Sequence, residues 1–299
     1  MSTTDQIEDS SAPLIEHLTE LRTRLIRAAI AFIVGMILCF TVAGVILDFL
    51  LVPIENTMRS LGNPNPVMQY TAPQEYFFTL VRISMVGGLM VSFPVIAFQL
   101  WRFVAPGLYK TEQSAFLPFL ISSPALFIMG AAFAHYVVVP LAMAFFLGFA
   151  DVPSFVSALM ATGDIAAAQE DTGIDIVFNG KVNESLDITL KMIVAFGLCF
   201  QLPVLLTLMG KAGLVGAQGL RDVRKYAIVG ILVLAALVTP PDVVTQIILF
   251  VVVYSLYEVS IWLVKSVEKK REDKLRAEGF YDDEDEDDPL MKEFDEDDD

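Results

Sequence analysis

The sequence predicts an all-α membrane protein with six transmembrane helices and with both termini on the same side of the bilayer. Hydrophobic residues make up 55% of the 299 residues and charged residues only 19%, whereas a soluble domain averages about 45–50% and about 25%. The charges gather at the two ends and in a few loops, so they leave long uncharged tracts. A tract of roughly 20 apolar residues is long enough to cross a bilayer as a helix.

Six tracts are assigned as membrane spans. The third lies in a run of 38 residues without Asp, Glu, Lys or Arg, which is too long for one crossing. The last two flank Pro240-Pro241, a pair that ends a helix, and are predicted to be short helices of a hairpin. The spans are about 28–47, 83–101, 115–137, 192–210, 226–239 and 243–258.

The distribution of Lys and Arg decides the topology. With a single span over 115–137 and an external loop over 138–187, one side of the membrane carries 16 Lys and Arg and the other carries Arg59 and Lys181, with Arg82 and Lys191 at its margin. Positively charged loops stay in the cytoplasm. Both termini of this multi-pass membrane protein are therefore expected to be cytoplasmic.

The two ends of the chain differ from the membrane domain, which covers 28–264. Leu14, Leu18, Leu21 and Leu25 recur at helical spacing, so residues 1–27 are predicted to form a cytoplasmic amphipathic helix. Residues 265–299 hold 17 Asp and Glu against 7 Lys and Arg. Such an acidic run is typical of a solvated, largely disordered tail, and it supplies much of the net charge of −16.

No arrangement of residues predicts an enzyme. The two histidines, His17 and His135, are far apart, and Cys39 and Cys199 lie in apolar tracts where buried free thiols are expected. We find no CxxC, HExxH, Walker or GxSxG pattern. The sequence therefore predicts no catalytic residue, no metal site, no cofactor and no nucleic-acid partner.

Four polar positions stand out in or beside the spans. Glu20 can pair with Arg24 on the N-terminal helix, and Glu112 is placed to stabilise the start of the third span. Gln201 lies in the middle of its span, where an amide needs a polar partner. Asp242, followed by Gln246, can cap the last helix. Taken one at a time, each position is explained by an ion pair, a cap or a hydrogen bond between helices.

Together these positions resemble the signature regions of the TatC family, the signal-peptide receptors of the twin-arginine translocase. The matching segments are HLTELRTRL (17–25), Pro53, FVAPGLYKTE (103–112), FQLPV (200–204) and TPPDVVTQ (239–246). The resemblance implies a concave, glove-like bundle of six helices. It also implies export of folded proteins driven by the proton-motive force.

The resemblance further implies which residues bind partners. Signal-peptide binding is expected at Glu20, Arg22, Phe103 and Glu112, because two carboxylates suit two guanidinium groups. Contacts with partner helices are expected at Pro53, Gln201, Asp242 and Gln246. The implied partners are TatA-like and TatB-like single-span proteins, twin-arginine signal peptides, further copies of this chain and the lipid bilayer. Gln201 departs from the family, which often has Glu there, so it cannot relay protons.

Two other functions fit a polytopic membrane protein. A small-solute secondary transporter is the alternative, although such transporters often have paired repeats with broken helices near the midplane. Here the candidates near the midplane are Gln201-Pro203 and Pro118/Pro124, and no second half matches them. A purely structural scaffold is the third reading. Binding of a twin-arginine peptide distinguishes the first function from both.

Overall fold

The computed structural model describes residues 3–60, 65–104, 117–148, 180–239 and 242–277, and almost all of them are helical. Two residues in each of two short strands form the only sheet in this part of the chain. The elements are α1 (Thr3–Thr41), α2 (Ala43–Ser60), β1 (Met68–Gln69), α3 (Pro73–Val104), α4 (Leu117–Phe133), α5 (Val139–Gly148), β2 (Gly180–Lys181), α6 (Val182–Cys199), α7 (Leu202–Lys211), α8 (Ala217–Asp222), α9 (Arg224–Val238) and α10 (Val243–Ala277).

Five segments of the described chain are long and apolar enough to cross a membrane. They are Leu18–Thr41, Pro73–Leu100, Ile121–Leu147, Val182–Lys211 and Val243–Asp273. The remaining predicted span, 226–239, corresponds to α9, which has only 15 residues and measures about 22 Å. The all-helical membrane fold is thus confirmed, with five long apolar segments and one short helix.

Helix bounds in the structure differ from several predicted span bounds, and the first helix ends at Thr41 rather than at 47. The segment after 137, expected to be an external loop, continues as α5 to Gly148, and residues 149–179 lie outside the described chain. A π-helical turn at Ala134–Val138 joins α4 to α5. Pro140, which has no N–H to donate, follows this turn in α5, and the helix continues past it.

The last helix is longer than the predicted span of 243–258. In the structure α10 runs on to Ala277, so only the first helix of the hairpin is short. Glu258 does not end the helix, because its carboxylate pairs with Arg224 of α9 at 2.6 Å. Beyond it, Glu268 accepts a hydrogen bond from the backbone N–H of Ala217 at 2.9 Å. The charged segment that begins at Lys265 therefore continues the helix of the span and contacts the bundle at Glu268.

Close helix contacts at glycine hold α1 on α3. A Cβ atom on Gly88 would lie 2.6 Å from the backbone nitrogen of Met36, and one on Gly35 would lie 2.8 Å from the carbonyl oxygen of Gly88. Only hydrogen atoms at both positions allow the two backbones to approach so closely. This contact brings the N-terminal half of α1 beside the C-terminal end of α3.

The core is centred on α6. Its Phe196 is fully buried, and a Cβ atom on Gly130 of α4 would lie 2.5 Å from the Phe196 carbonyl oxygen. At one end of the bundle, β1 pairs with β2 in parallel, with Gln69 opposite Lys181. This pair fixes the starts of α3 and α6 at a common level. We call this end of the bundle the β end.

Candidate functional site

The predicted site residue Glu20 lies on α1, away from the β end. Its side chain is 35% exposed and accepts a hydrogen bond from Nε of Arg24 at 3.1 Å, together with a second one from Nη2 of the same guanidinium. The spacing of four residues that predicted this pair is confirmed. The Arg24 side chain is only 13% exposed, and its Nη1 is buried without a hydrogen-bond partner among the described residues.

Glu20 borders an open cavity of about 590 Å³ that we call the Glu20 cavity. Arg102, at the end of α3, closes one side of it and lies with Cζ 5.9 Å from the ring centre of Phe98. The described wall therefore carries three arginines and one glutamate. Its residues are Thr19, Glu20, Thr23, Arg24, Arg27 and Arg102.

None of the other predicted signal-peptide residues lies in the described wall of this cavity. Arg22 is exposed on α1 but does not line the cavity. Phe103 follows Arg102 in α3, and its side chain lies outside the described part of the molecule, as does the whole of Glu112. The structure thus places Glu20 and Arg102 at one cavity, directly before the segment that contains Glu112.

Sequence reasoning missed part of the cavity wall. Thr19, Thr23 and Arg27 occupy the same face of α1 as Glu20 and Arg24, as their spacing of three and four residues indicates. That periodicity was a readable signal. The position of Arg102 beside the cavity could not be predicted in this way, because it depends on the packing of α3 against α1.

Gln201 has a hydrogen-bonding partner within the chain. Its Oε1 accepts a hydrogen bond from the Ser123 hydroxyl at 2.6 Å, and its Nε2 donates to the Ser123 carbonyl at 3.0 Å. Ser123 is buried on α4, whereas Gln201 is half-buried at the break between α6 and α7. Both polar atoms of the amide are thus satisfied by a residue 78 positions away.

Asp242 has the capping role that its position indicated. The carboxylate accepts hydrogen bonds from the backbone N–H of Thr245 at 2.7 Å and from the Thr245 hydroxyl, and only 2% of the residue is exposed. Gln246 lies one turn further along α10 and is half-buried. Pro53 is buried inside α2, where its carbonyl accepts a hydrogen bond from the hydroxyl of Thr57 at 2.8 Å. Pro240-Pro241 lies outside the described residues.

His135 is a buried polar residue that the sequence did not connect to any site. Its ring stacks on Phe49 at 4.5 Å and lies edge-on to Tyr136 at 4.8 Å. The Nδ1 atom has no hydrogen-bond partner among the described residues. No group of His, Cys, Asp or Glu suited to a metal ion occurs in the described ranges.

Comparison with known proteins identifies the family. Residues 16–251 match the model of the Sec-independent protein translocase protein (TatC) family. A TatC protein of Magnetococcus marinus is 42% identical over 90% of both chains, and one of Aquifex aeolicus is 36% identical over 89% of this chain and all of its own length. A crystal structure described as the twin-arginine translocase receptor TatC superposes with a TM-score of 0.67, at 36% identity, over 84% of this chain and 99% of that one. The chain therefore belongs to the TatC family of Sec-independent protein translocase proteins.

Proposed function

We propose that this chain binds the twin-arginine signal peptides of folded cargo at the Glu20 cavity, as the receptor subunit of a Sec-independent translocase. The observation that carries the proposal is the position of Glu20. It is a half-buried carboxylate at the start of the first span and shares a cavity with Arg102 at the end of α3, and Glu112 follows Arg102 by ten residues in the chain. A carboxylate there offers a planar guanidinium two parallel hydrogen bonds.

Charge in the cavity determines how an arginine can bind. The described wall has three guanidinium groups for one carboxylate, so an additional cation is repelled unless it replaces one of them. Arg24 is the group that Glu20 holds now. We infer that an arginine of the signal peptide takes the place of Arg24 on Glu20, while the second arginine pairs with Glu112. Arg22 and Phe103 are proposed to contact the signal peptide beside these two carboxylates.

A pull-down with the purified full chain tests the proposal. Immobilised signal peptide with two arginines should retain the chain, and the same peptide with two lysines should retain much less, because lysine lacks the planar fork of donors. Equal retention by the two peptides, or by neither, would contradict the proposal. A small-solute transporter and a scaffold both predict no preference, and the family match does not favour a transporter.

Membrane orientation is the second part of the proposal. The chain is a multi-pass membrane protein, and its excess of Lys and Arg supports cytoplasmic termini in the bacterial inner membrane. In intact cells, an impermeant thiol reagent should label Ser60→Cys on α2 but should label Arg276→Cys only after lysis. Cys39 and Cys199 are buried and should give little background. Labelling of Arg276→Cys in intact cells would invert the topology.

Partner helices are proposed to dock on the hairpin formed by α9 and α10. Each of these helices presents three exposed apolar side chains spaced four residues apart, a stripe suited to an apolar helix. Of the four predicted contact residues, Gln201 and Gln246 are half-buried and accessible, whereas Pro53 and Asp242 support the local structure. The stripe residues are Val229, Val233, Leu237, Val243, Ile247 and Val251.

Cysteine crosslinking tests this docking site. Val233→Cys and Ile247→Cys should crosslink to TatA-like or TatB-like helices in membranes that export cargo, and the buried control Val253→Cys should not. Negative results at both stripe positions would argue against the hairpin as the docking site. Export should require the proton-motive force without added nucleotide, and the receptor should self-associate.

A further inference from the structure

An apolar groove opens on the surface of the bundle near the β end, away from the Glu20 cavity. Its volume is about 510 Å³, and we call it the Arg82 groove. Large apolar side chains in its wall are exposed, most of all Leu237 at 80%, so the groove is open to the surroundings of the bundle. It is lined by Arg82, Met85, Val86, Asp187, Leu190, Lys191, Val194, Ala195, Leu198, Leu237 and Val238.

Two cations and one anion form the polar part of this groove. Asp187 bridges the cations, with Oδ2 at 2.6 Å from Nζ of Lys191 and Oδ1 at 3.5 Å from Nη1 of Arg82. Arg82 Nη1 also donates a hydrogen bond to Oδ1 of Asn183 at 3.0 Å. The groove lining has a net charge of +1, with both cations partly exposed. It therefore suits a ligand with one negative charge beside a long apolar part.

The charged residues lie below the β end of the bundle. Arg82 and Lys191 are each the tenth residue of their helix, in α3 and α6, which places them about 13 Å from the helix start. The β1–β2 pair keeps the two starts level. Leu237 and Val238, at the end of short α9, reach the same depth. A lipid headgroup bound there lies deeper in the membrane than the headgroups of a bilayer that surrounds longer helices.

The size of the groove favours one of two kinds of occupant. A helix with its side chains is about 10–12 Å wide, so one turn fills about 420–610 Å³. The groove can therefore enclose about one turn of a helix, so most of a spanning helix of roughly 20 residues would lie outside it. A narrow acyl chain can lie along its apolar wall instead. The charge then selects a headgroup with a net negative charge.

We propose that the Arg82 groove binds one anionic glycerophospholipid. The phosphate lies between Arg82 and Lys191, where it replaces part of the pairing with Asp187 through charge-assisted hydrogen bonds. One acyl chain lies against Leu190, Val194 and Leu198. The site is separate from the proposed signal-peptide cavity, so either assignment can fail without the other.

Native mass spectrometry of the full chain tests this site. The chain is stripped of lipid in detergent and then receives phosphatidylglycerol or phosphatidylcholine with identical acyl chains. The parent should retain one phosphatidylglycerol and little phosphatidylcholine. Arg82→Gln and Lys191→Gln should each reduce retention roughly tenfold. The control Arg59→Gln, which removes a cation with a similar acidic partner, should change nothing.

A variant that keeps every charge tests whether the lipid lies in the groove itself. Ala195→Phe fills the groove and should abolish retention, whereas Leu232→Phe, exposed on α9 outside both the groove and the stripe, should not. Equal retention of the two lipids would overturn the charge-based assignment. Unchanged retention of phosphatidylglycerol in Ala195→Phe would overturn the location. Crosslinking of Ala195→Cys to a single-span partner helix, with no lipid retained by the parent, would assign the groove to a protein and also overturn the proposal.

Discussion

Replacing Glu20 by alanine is expected to weaken the binding of a twin-arginine peptide without affecting the fold. A hydrogen-bonded pair with a charged group is worth about 1.5–3 kcal/mol. Binding must also release Arg24, and an i, i+4 ion pair of this kind is worth only about 0.3–0.5 kcal/mol. The net loss is therefore about 1–2.5 kcal/mol, or an increase in Kd of about 5- to 60-fold. Because 35% of the Glu20 side chain is exposed, screening by water favours the lower part of this range.

The exchange of arginines on Glu20 makes an opposite prediction for its neighbour. Arg24→Gln removes the competing guanidinium and one repulsive charge, so peptide binding should become about twofold tighter. If Arg24 instead helped to hold the peptide, its removal would weaken binding. The sign of this single change thus distinguishes competition from cooperation.

Fluorescence anisotropy with a labelled signal peptide, at low and at physiological salt, measures both effects. Glu55→Ala is the matched control, because Glu55 pairs with Arg59 at 2.8 Å with the same spacing but on α2. It should leave Kd unchanged. Parent-like affinity of Glu20→Ala at both salt concentrations would refute the assignment of the site.

Three predictions concern the scaffold, and thermal unfolding in detergent measures each. Gly88→Ala should be less stable than Gly230→Ala by about 1–3 kcal/mol, because a Cβ atom on Gly88 meets backbone atoms whereas one on Gly230 meets nothing within 4 Å. Ser123→Ala should cost about 0.6–1.7 kcal/mol by breaking the hydroxyl hydrogen bond to Gln201. Asp242→Ala should cost about 1 kcal/mol through loss of the helix cap, and Asp242→Asn much less.

Each of these predictions has a result that would contradict it. Equal stability of the two glycine variants would mean that α1 and α3 are not in close contact. A Ser123→Ala variant as stable as the parent would show that the amide of Gln201 finds another partner. Equal losses for the two replacements of Asp242 would show that its charge matters more than its capping bonds.

Local features of the chain were predictable because their causes lie within one helix. The apolar tracts identified the spans, and a spacing of four residues identified the pair of Glu20 with Arg24. Hydrogen bonds between helices were not predictable in the same way. The partner of Gln201 is 78 residues away, and nothing near either residue in the sequence indicates the pairing.

The extent of helices was predicted less well than their existence. Charge at Glu258 was taken as the end of the last span, but Arg224 neutralises it across the hairpin and the helix continues. The Glu20 cavity shows the same limit. Its α1 face follows from periodicity, whereas Arg102 arrives through a helix contact that depends on two glycines far from the cavity.

The length of α10 separates the start of the acidic tail from the contact between Glu268 and Ala217. This helix is about 52 Å long, and it extends for nine residues, about 13 Å, beyond the point where Glu268 holds Ala217. The Debye length is about 8 Å in physiological salt but about 30 Å at 0.01 M. At physiological ionic strength, electrostatic interactions between the start of the tail and the contact at Ala217 are thus largely screened. In dilute buffer this screening is lost, and the acidic residues beyond Ala277 attract cationic peptides in solution over a longer distance.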